Sequence, residues 1–184
     1  MTTQDFLHAA AHIGQRIVRR AQWRDRACTW EVVLSRRATL EPATGEIYQG
    51  TSGIALFLGE LFHRTAEADL ARTAQGAMAH AFAAAPDLPP GRFGFYTGRV
   101  GIALAAARLA PLLRRDDYLE EALDLLQPMA GHEDQIEGAD VMAGAAGAIP
   151  ALIGLAELLA SDLPLTLAEA LGEHLIDTAH REPG

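Results

Sequence analysis

The amino-acid sequence predicts an all-α protein built from repeated helical hairpins. Alanine and leucine are prominent among the 184 residues, and both are strong helix formers. A related phrase also occurs three times, at residues 46–53, 94–101 and 140–147, each time just before an apolar stretch. From Gly50 to Gly98 is 48 residues, and from Gly98 to Gly144 is 46. A nearly constant period of this size is typical of repeat proteins, whose units bury their apolar faces against their neighbours.

The N-terminal part is predicted to be one helix followed by a loop. Residues 3–22 form an amphipathic pattern, with Phe6, Ile13 and Ile17 at helical spacing. The pattern weakens from residue 23 to residue 47, where Pro42 and Gly45 indicate a loop. We therefore predict a single domain over residues 1–184, with the helix and loop in 1–47 and three hairpins in 48–184.

Each repeat is predicted to contain two helices. The first helices cover about residues 51–64, 99–113 and 145–160, and the second about 67–84, 116–130 and 164–181. The first helices are almost wholly apolar and the second are amphipathic, which predicts an inner layer enclosed by an outer layer. Pro150 lies inside the third inner helix, so we expect a kink there or a later helix start. Hairpins of this kind curve into an open solenoid or a closed α/α toroid.

Charge and cysteine content narrow the possible environments and partners. The 15 basic and 24 acidic residues give a net charge of −9, which argues against a nucleic-acid partner. The arginine-rich segment from Arg16 to Arg37 could meet an acidic peptide or a membrane surface, although a solvated helix face is the preferred interpretation. Cys28 is the only cysteine, so no disulfide forms within the chain. Without a signal-peptide pattern or a membrane-spanning apolar run, the expected location is the cytoplasm.

The glycine pairs of the three phrases have two possible explanations. The pairs are Gly50 and Gly53, Gly98 and Gly101, and Gly144 and Gly147. Glycine permits a sharp turn into a helix and lets crowded inner helices approach closely, which is the preferred structural explanation. The alternative is a ligand site, because backbone N–H groups at a helix N-terminus attract anions. None of the three phrases matches a phosphate-binding loop.

The full phrases at residues 48–58, 98–104 and 140–147, in this order and spacing, resemble the lanthionine synthetase C-like family. The resemblance covers about residues 6–181. It implies an α/α toroid of about seven helical hairpins. It also implies a zinc enzyme that adds cysteine thiols of a precursor peptide to dehydroalanine or dehydrobutyrine, which closes thioether rings.

The resemblance places the zinc ligands, two cysteines and a histidine, in later repeats. This sequence contains neither of the cysteine phrases that hold them, and Cys28 precedes the first repeat. We therefore predict no metal site in this chain and expect zinc in a full-length family member. The chain reads as an N-terminal half, an incomplete arc of about three hairpins that is catalytically incomplete alone. Its exposed inner-helix surface favours self-association or pairing with a complementary C-terminal half.

The resemblance implies a catalytic role for one residue of this chain, Asp140, in acid–base or proton-relay chemistry. The alternative is that Asp140 caps a helix N-terminus. His8 and His12, four residues apart on one helix, could hold a metal weakly, but surface histidines are the preferred interpretation. Two other functions stay open. One is a non-catalytic peptide-binding or assembly module, and the other is a carbohydrate-active α/α toroid using Glu46 and Asp140 as paired carboxylates.

Overall fold

A computed structural model describes residues 2–33, 40–89, 91–132, 135–136 and 138–179. The helices in this part of the chain are α1 (Thr3–Arg20), α2 (Thr51–Thr65), α3 (Ala68–Ala84), α4 (Arg99–Leu113), α5 (Asp117–Leu126), α6 (Ala145–Leu159) and α7 (Leu163–Thr178). Short 3-10 turns at Ala85–Asp87 and Gln127–Met129 extend α3 and α5. The predicted all-α hairpin architecture is confirmed.

The helices form the two layers that their polarity predicts. Helices α2, α4 and α6 pack side by side, and each also packs against its own following helix, α3, α5 or α7. Helix α4 is in the middle of the inner layer, and eleven of its fifteen residues are buried. This central position explains why α4 is almost wholly apolar, since α2, α5 and α6 pack around it and leave Arg108 exposed on the remaining side.

Successive inner helices interlock at one repeated position. A side chain at Gly59 of α2 would collide with Leu109 of α4, which lies eleven residues after the first glycine of its repeat. Leu61 occupies the same position in the first repeat, and it packs against Gly14 of α1. Helix α1 therefore packs on α2 through the same small-against-leucine contact by which α2 packs on α4.

The three inner helices also begin and end in register. Each contains fifteen residues and begins after a glycine N-cap. Each ends at a residue in the left-handed conformation, Ala66 (φ 58), Arg114 (φ 54) or Ala160 (φ 47). Helix α6 begins at Ala145 and continues through Pro150, so the expectation of a later start was wrong. Pro150 is exposed, and its missing N–H leaves the carbonyl of Ala146 without its helical donor.

The segment predicted as a loop before the first repeat contains two small antiparallel hairpins, which corrects that prediction. Strands β1 (Gln22–Arg24) and β2 (Ala27–Thr29) form one, and β3 (Glu31–Val33) and β4 (Leu40–Pro42) form the other. Asp25 makes the tight turn of the first hairpin at φ 54. Strands of three residues are too short to show an alternating pattern. Arg36 and Arg37 of the arginine-rich segment lie outside the described residues.

Long-range contacts hold the first hairpin on the outer layer. Gly76 of α3 has no side chain, and a Cβ atom there would lie 2.6 Å from the Trp23 ring and 2.9 Å from the Cys28 Sγ. The indole N–H of Trp30 donates to the carbonyl of Ile17 in α1 at 2.9 Å.

No helix in the described part of the chain is long and apolar enough to cross a membrane.

Candidate functional site

The three glycine phrases form loops that fold back onto the N-termini of the inner helices. In each repeat the first helical N–H donates to the carbonyl seven residues earlier. The bonds run from Thr51 to Thr44 (2.8 Å), from Arg99 to Arg92 (3.0 Å) and from Ala145 to Gly138 (3.2 Å). The leading N–H groups of the inner helices are thus bonded to the protein itself, which supports the structural explanation of the phrases over anion binding.

The glycines are the residues that make this folding back possible. At the second glycine of each pair, a Cβ atom would collide with the backbone carbonyl six residues earlier, at Ile47, Phe95 or Val141. At the first glycine, it would collide with backbone atoms of the loop, for example those of Glu46 beside Gly50. Gly50, Gly98 and Gly144 are the N-cap residues of α2, α4 and α6. All six glycines therefore lie where only a hydrogen atom fits.

Backbone hydrogen bonds join the three loops to one another. The N–H of Tyr48 donates to the carbonyl of Tyr96 at 3.0 Å, and the N–H of Tyr96 donates to the carbonyl of Met142 at 3.1 Å. Tyr48, Tyr96 and Met142 occupy the same repeat position, two residues before the first glycine. We call residues 46–50, 94–98 and 140–144 together the rim, which lies at one end of the inner layer.

Asp140 lies on the rim and is exposed to solvent. Its Oδ1 accepts hydrogen bonds from the N–H groups of Met142 (2.6 Å) and Ala143 (3.0 Å). These backbone donors, Ala143 first, lower the pKa of the Asp140 carboxyl below its ordinary value. The side chain stabilises the loop and does not cap α6, whose N-cap is Gly144. At neutral pH Asp140 therefore presents an ionised carboxylate at the rim.

Glu46 holds the corresponding position in the first repeat but has a different environment. It is 8% exposed, and its Oε2 accepts a hydrogen bond from the Thr44 hydroxyl at 3.2 Å. Its Oε1 lies 3.8 Å from the Nε of Arg92. Burial raises the pKa of Glu46, partly offset by Thr44 and Arg92. Glu46 is thus a buried carboxylate that contacts Arg92, just before the second rim segment, whereas Asp140 faces solvent.

Thr51 and Arg99, two polar residues near the rim, were not predicted from the sequence. The hydroxyl of Thr51 and the Nδ1 of His80 lie 3.1 Å apart, and burial lowers the pKa of His80. Arg99 is buried, with 8% of the residue exposed, and its guanidinium group points to the end of α3. It donates to the carbonyls of Pro89 (2.9 Å), Leu88 (2.9 Å) and Ala85 (3.2 Å). These contacts attach the beginnings of α2 and α4 to the end of α3. The sequence feature that could have indicated them is a polar residue directly after the N-cap glycines of α2 and α4.

A solvent-facing stripe remains on the inner helices, on the side that the outer helices leave open. Glu60 of α2 and Arg108 of α4 lie on it, with 3.3 Å between Oε1 and a guanidinium nitrogen. Both residues follow the first glycine of their repeat by ten positions. The ion pair therefore bridges neighbouring inner helices at equivalent positions.

The residues of this chain do not fit the zinc site that the family resemblance implies. Cys28 is 1% exposed, and its Sγ lies 3.5 Å from the carbonyl of Thr73. Burial raises the pKa of the Cys28 thiol to about 12, so the thiolate that zinc requires is disfavoured. His8 and His12 face each other on α1 with their Nε2 atoms 3.1 Å apart. The described residues contain no group of three or more metal-ligating side chains.

Comparison with known proteins agrees with the helical-hairpin architecture. A family model described as "Lanthionine synthetase C-like protein" matches residues 41–183, which include all three rim segments and all three hairpins. A search of curated proteins gave no match. The chain belongs to the lanthionine synthetase C-like family.

Proposed function

We propose that this chain is the N-terminal portion of a peptide cyclase that forms thioether rings. The observation that carries the proposal is the family match over residues 41–183. The substrate would be a precursor peptide that contains cysteine and dehydroalanine or dehydrobutyrine. The chain supplies the first hairpins of the toroid and the carboxylate of Asp140, and it works in the cytoplasm.

The proposed reaction is an addition in which no atom is lost. The cysteine sulfur bonds to the β-carbon of the dehydro residue, and the electron pair of the alkene moves to the α-carbon side as an enolate. The thiol gives up its proton and the enolate takes one, so the peptide keeps its mass. As an ionised, solvent-exposed carboxylate, Asp140 would accept the thiol proton rather than donate one to the enolate.

Zinc, when bound in a full-length member, would stabilise the attacking thiolate. Among the residues that the structure describes, no set fits that metal, and the single thiol of the sequence is buried against α3. We therefore assign no step at the metal to this chain. It is expected to be inactive by itself and to act together with a part that supplies the ligands.

A surface at the end of the inner layer is suited to binding the part of the protein that would supply the zinc ligands. Ile153 of α6 is 49% exposed. The equivalent residues of the preceding repeats, Gly59 and Ala107, are buried. Leu109 of the next inner helix lies directly over Gly59. We propose that a further hairpin, from a complementary C-terminal half or a second copy, covers Ile153 in the same way.

The alternative function is a non-catalytic peptide-binding or assembly module. The exposed Ile153 at the end of the inner layer supports an assembly role, because an apolar residue there suits a covering partner whether or not the chain takes part in chemistry. The carbohydrate-active alternative has less support. It needs Glu46 as an accessible carboxylate, but Glu46 is buried against Thr44 and Arg92.

A thiol-consumption assay separates these functions. A synthetic peptide with one dehydroalanine and one cysteine would be incubated with the purified chain, and in parallel with the longest natural protein that contains this sequence. If the cyclase proposal is right, the peptide loses its free thiol without a change of mass in the sample with the longer protein, and keeps its thiol in the sample with the purified chain. Thiol loss with the purified chain would contradict catalytic incompleteness. Peptide binding without thiol loss in either sample would favour the non-catalytic module.

A further inference from the structure

The repeat leaves one unmatched face at each end of the inner layer. In the part of the chain that the structure describes, α4 packs on both α2 and α6, whereas α2 and α6 each pack on α4 alone among the inner helices. We call the free face at α6 the α6 edge, and its residues are Val141, Ile149 and Ile153. We call the free face at α2 the α2 edge, and its residues are Gly53, Ile54 and Phe57.

The α6 edge exposes apolar side chains at repeat positions that are buried inside the layer. Ile149 is half-buried, whereas its equivalents Ala55 and Ala103 are fully buried. Ile153, one helical turn later, is 49% exposed, and Val141 is 59% exposed. The third repeat therefore lacks the neighbour that covers these positions in the first two repeats.

A groove of about 640 Å³ runs along the α2 edge, between α1, α2 and β3. Ile54 and Phe57 line it and are half-buried, whereas their equivalents in α4, Ile102 and Ala105, are fully buried. In the second repeat α2 covers these positions, and in the first repeat the groove takes the place of a preceding inner helix. The side chains that line the groove are mostly apolar, so its burial would be favourable.

Helix α1 covers only one half of the free face of α2. Gly14 lies against Leu61 near the C-terminal end of α2, which leaves the half nearest the rim open. Ile13 lines this opening and is 52% exposed. Because α1 keeps a neighbouring helix from approaching α2 as closely as α4 does, larger side chains than alanine or glycine are needed to fill the gap. The isoleucines of the α6 edge meet that need.

The contact between the first and second repeats gives the geometry by which the two edges would meet. Ile47 extends to the second repeat, where a Cβ atom at Gly101 would lie 3.2 Å from its Cδ1. Val141 is the equivalent of Ile47, and Gly53, which lines the groove, is the equivalent of Gly101. The same contact between two copies would therefore place Val141 of one copy beside Gly53 of the other.

We propose that two copies of this chain associate head to tail, with the α6 edge of one copy in the groove at the α2 edge of the other. One chain carries both surfaces, so a second copy supplies the counterpart of each, and the contact continues the packing of inner helices within the chain. In this arrangement Ile153 of one copy faces Ile13 of the other. Such a contact joins two different surfaces, and it either closes into a ring or extends to longer assemblies. The inference concerns association and does not depend on the proposed cyclase function.

Sedimentation velocity of the purified chain, from micromolar to millimolar concentration, tests the association. The average mass should rise with concentration above that of a single chain. Ile153→Gln at the α6 edge and Ile13→Gln at the α2 edge should each weaken association by about ten-fold or more, because each removes the burial of one isoleucine side chain. Ile176→Gln is the matched control, because Ile176 is also an exposed isoleucine but lies on α7 of the outer layer. It should leave association unchanged.

A mixture of the two edge variants tests the head-to-tail geometry. Ile153→Gln keeps an intact α2 edge and Ile13→Gln keeps an intact α6 edge, so an equimolar mixture should recover a complex close to wild-type strength. A mixture as weak as each variant alone would overturn the proposal, as would equal weakening by Ile176→Gln.

Two further results would also overturn the proposal. One is a chain that stays monomeric at millimolar concentration. The other is a chain that does not associate with itself but binds a complementary C-terminal half, which would identify a different occupant of the groove. Neither result bears on the thiol-consumption assay, so failure of this proposal and failure of the proposed cyclase function are distinguishable.

Discussion

Tyr48 and Tyr96, which are equivalent residues of successive repeats, are joined by a backbone hydrogen bond of 3.0 Å from N–H to carbonyl. Tyr96 makes the same bond to Met142 in the third repeat, at 3.1 Å. The rim is therefore built by the backbone and not by side chains at these positions. Such bonds require each loop to lie tightly against its own helix, and this requirement makes the glycine pairs structural residues.

Replacement of Gly101 by alanine should strongly destabilise the protein. The added methyl group would collide with the backbone carbonyl of Phe95, which cannot move without breaking the rim. We expect the free energy of unfolding, measured by urea denaturation, to fall by about 2 kcal/mol or more. Gly154→Ala is the control, because a Cβ atom there meets nothing within 4 Å. It should instead raise the free energy by about 0.5–1 kcal/mol, and equal losses at both sites would refute the steric argument.

Glycine should stabilise the protein where an inner helix ends in the left-handed conformation. Ala160 has φ 47, a region in which the Cβ atom is strained and glycine is not. We expect Ala160→Gly to raise the free energy of unfolding by about 1 kcal/mol. Ala9→Gly, on the exposed face of α1, should lower it by about 1 kcal/mol. A loss at Ala160 as large as that at Ala9 would mean that Ala160 is helical in solution.

Most of the helical architecture could be predicted because its determinants are local and repeated. The glycine pairs and the position of Leu61 and Leu109 recur at one period, and that period follows from packing one inner helix on the next. The first hairpin could not be predicted in this way. It depends on Gly76 leaving space for Trp23, some fifty residues away in the sequence. The left-handed helix ends were also missed, because alanine and arginine give no sequence signal for that conformation.

The candidate site was predictable only in part. Asp140 lies in its loop because its hydrogen-bond donors are two and three residues ahead, an arrangement that sequence can suggest. Glu46 shares its repeat position, and yet burial near Arg92 and Thr44 shifts its pKa in the opposite direction. Repeat position alone thus identifies a place on the rim but does not determine the environment of the side chain.

The stability of the protein should depend on the protonation of His80. Burial lowers the pKa of His80 below the ordinary 6.5, so the unfolded state binds the proton more tightly than the folded state. The contribution of neutral His80 to the free energy of unfolding is fully present above pH 6.5. It is lost as the pH falls from 6.5 through the lower folded-state pKa. Urea denaturation between pH 8 and pH 5 should show this loss, and it should be smaller in His80→Gln. His63→Gln, at an exposed site on α2, should retain it. An unchanged profile in His80→Gln would remove His80 as its cause.

Asp140→Asn should preserve folding and slow cyclisation in the longer protein that contains this sequence. Asparagine can still accept from Met142 and Ala143, but it cannot take a proton. We expect kcat to fall by about 10²–10⁴-fold with little change in Tm. Glu157→Gln is the control, because Glu157 is also an exposed carboxylate but lies on α6 and not on the rim, and this variant should keep full activity. Unchanged turnover in Asp140→Asn would leave Asp140 with a structural role in the rim.

The lowered pKa of the Asp140 carboxyl can be tested without an activity assay. The folded-state pKa of Asp140 lies below the ordinary 3.8, so its contribution to stability is present above that pH and is lost as the pH falls through the folded value. An NMR titration of the side-chain carboxyl carbon should therefore show a midpoint below 3.8. A midpoint above it would mean that the two backbone hydrogen bonds are not maintained in solution.

Cys28 should be unreactive in the folded chain, and the chain should hold no stoichiometric zinc. Burial of the thiol raises its pKa to about 12, so almost no thiolate is present at neutral pH. An aromatic disulfide reagent should react with Cys28 only as fast as the protein opens, and a chelator should leave Tm unchanged. Any weakly bound zinc should disappear in His8→Ala and persist in Cys28→Ser, because His8 and His12 offer the exposed nitrogen pair. One zinc per chain that survives the chelator and is lost in Cys28→Ser would place the metal site in this chain after all.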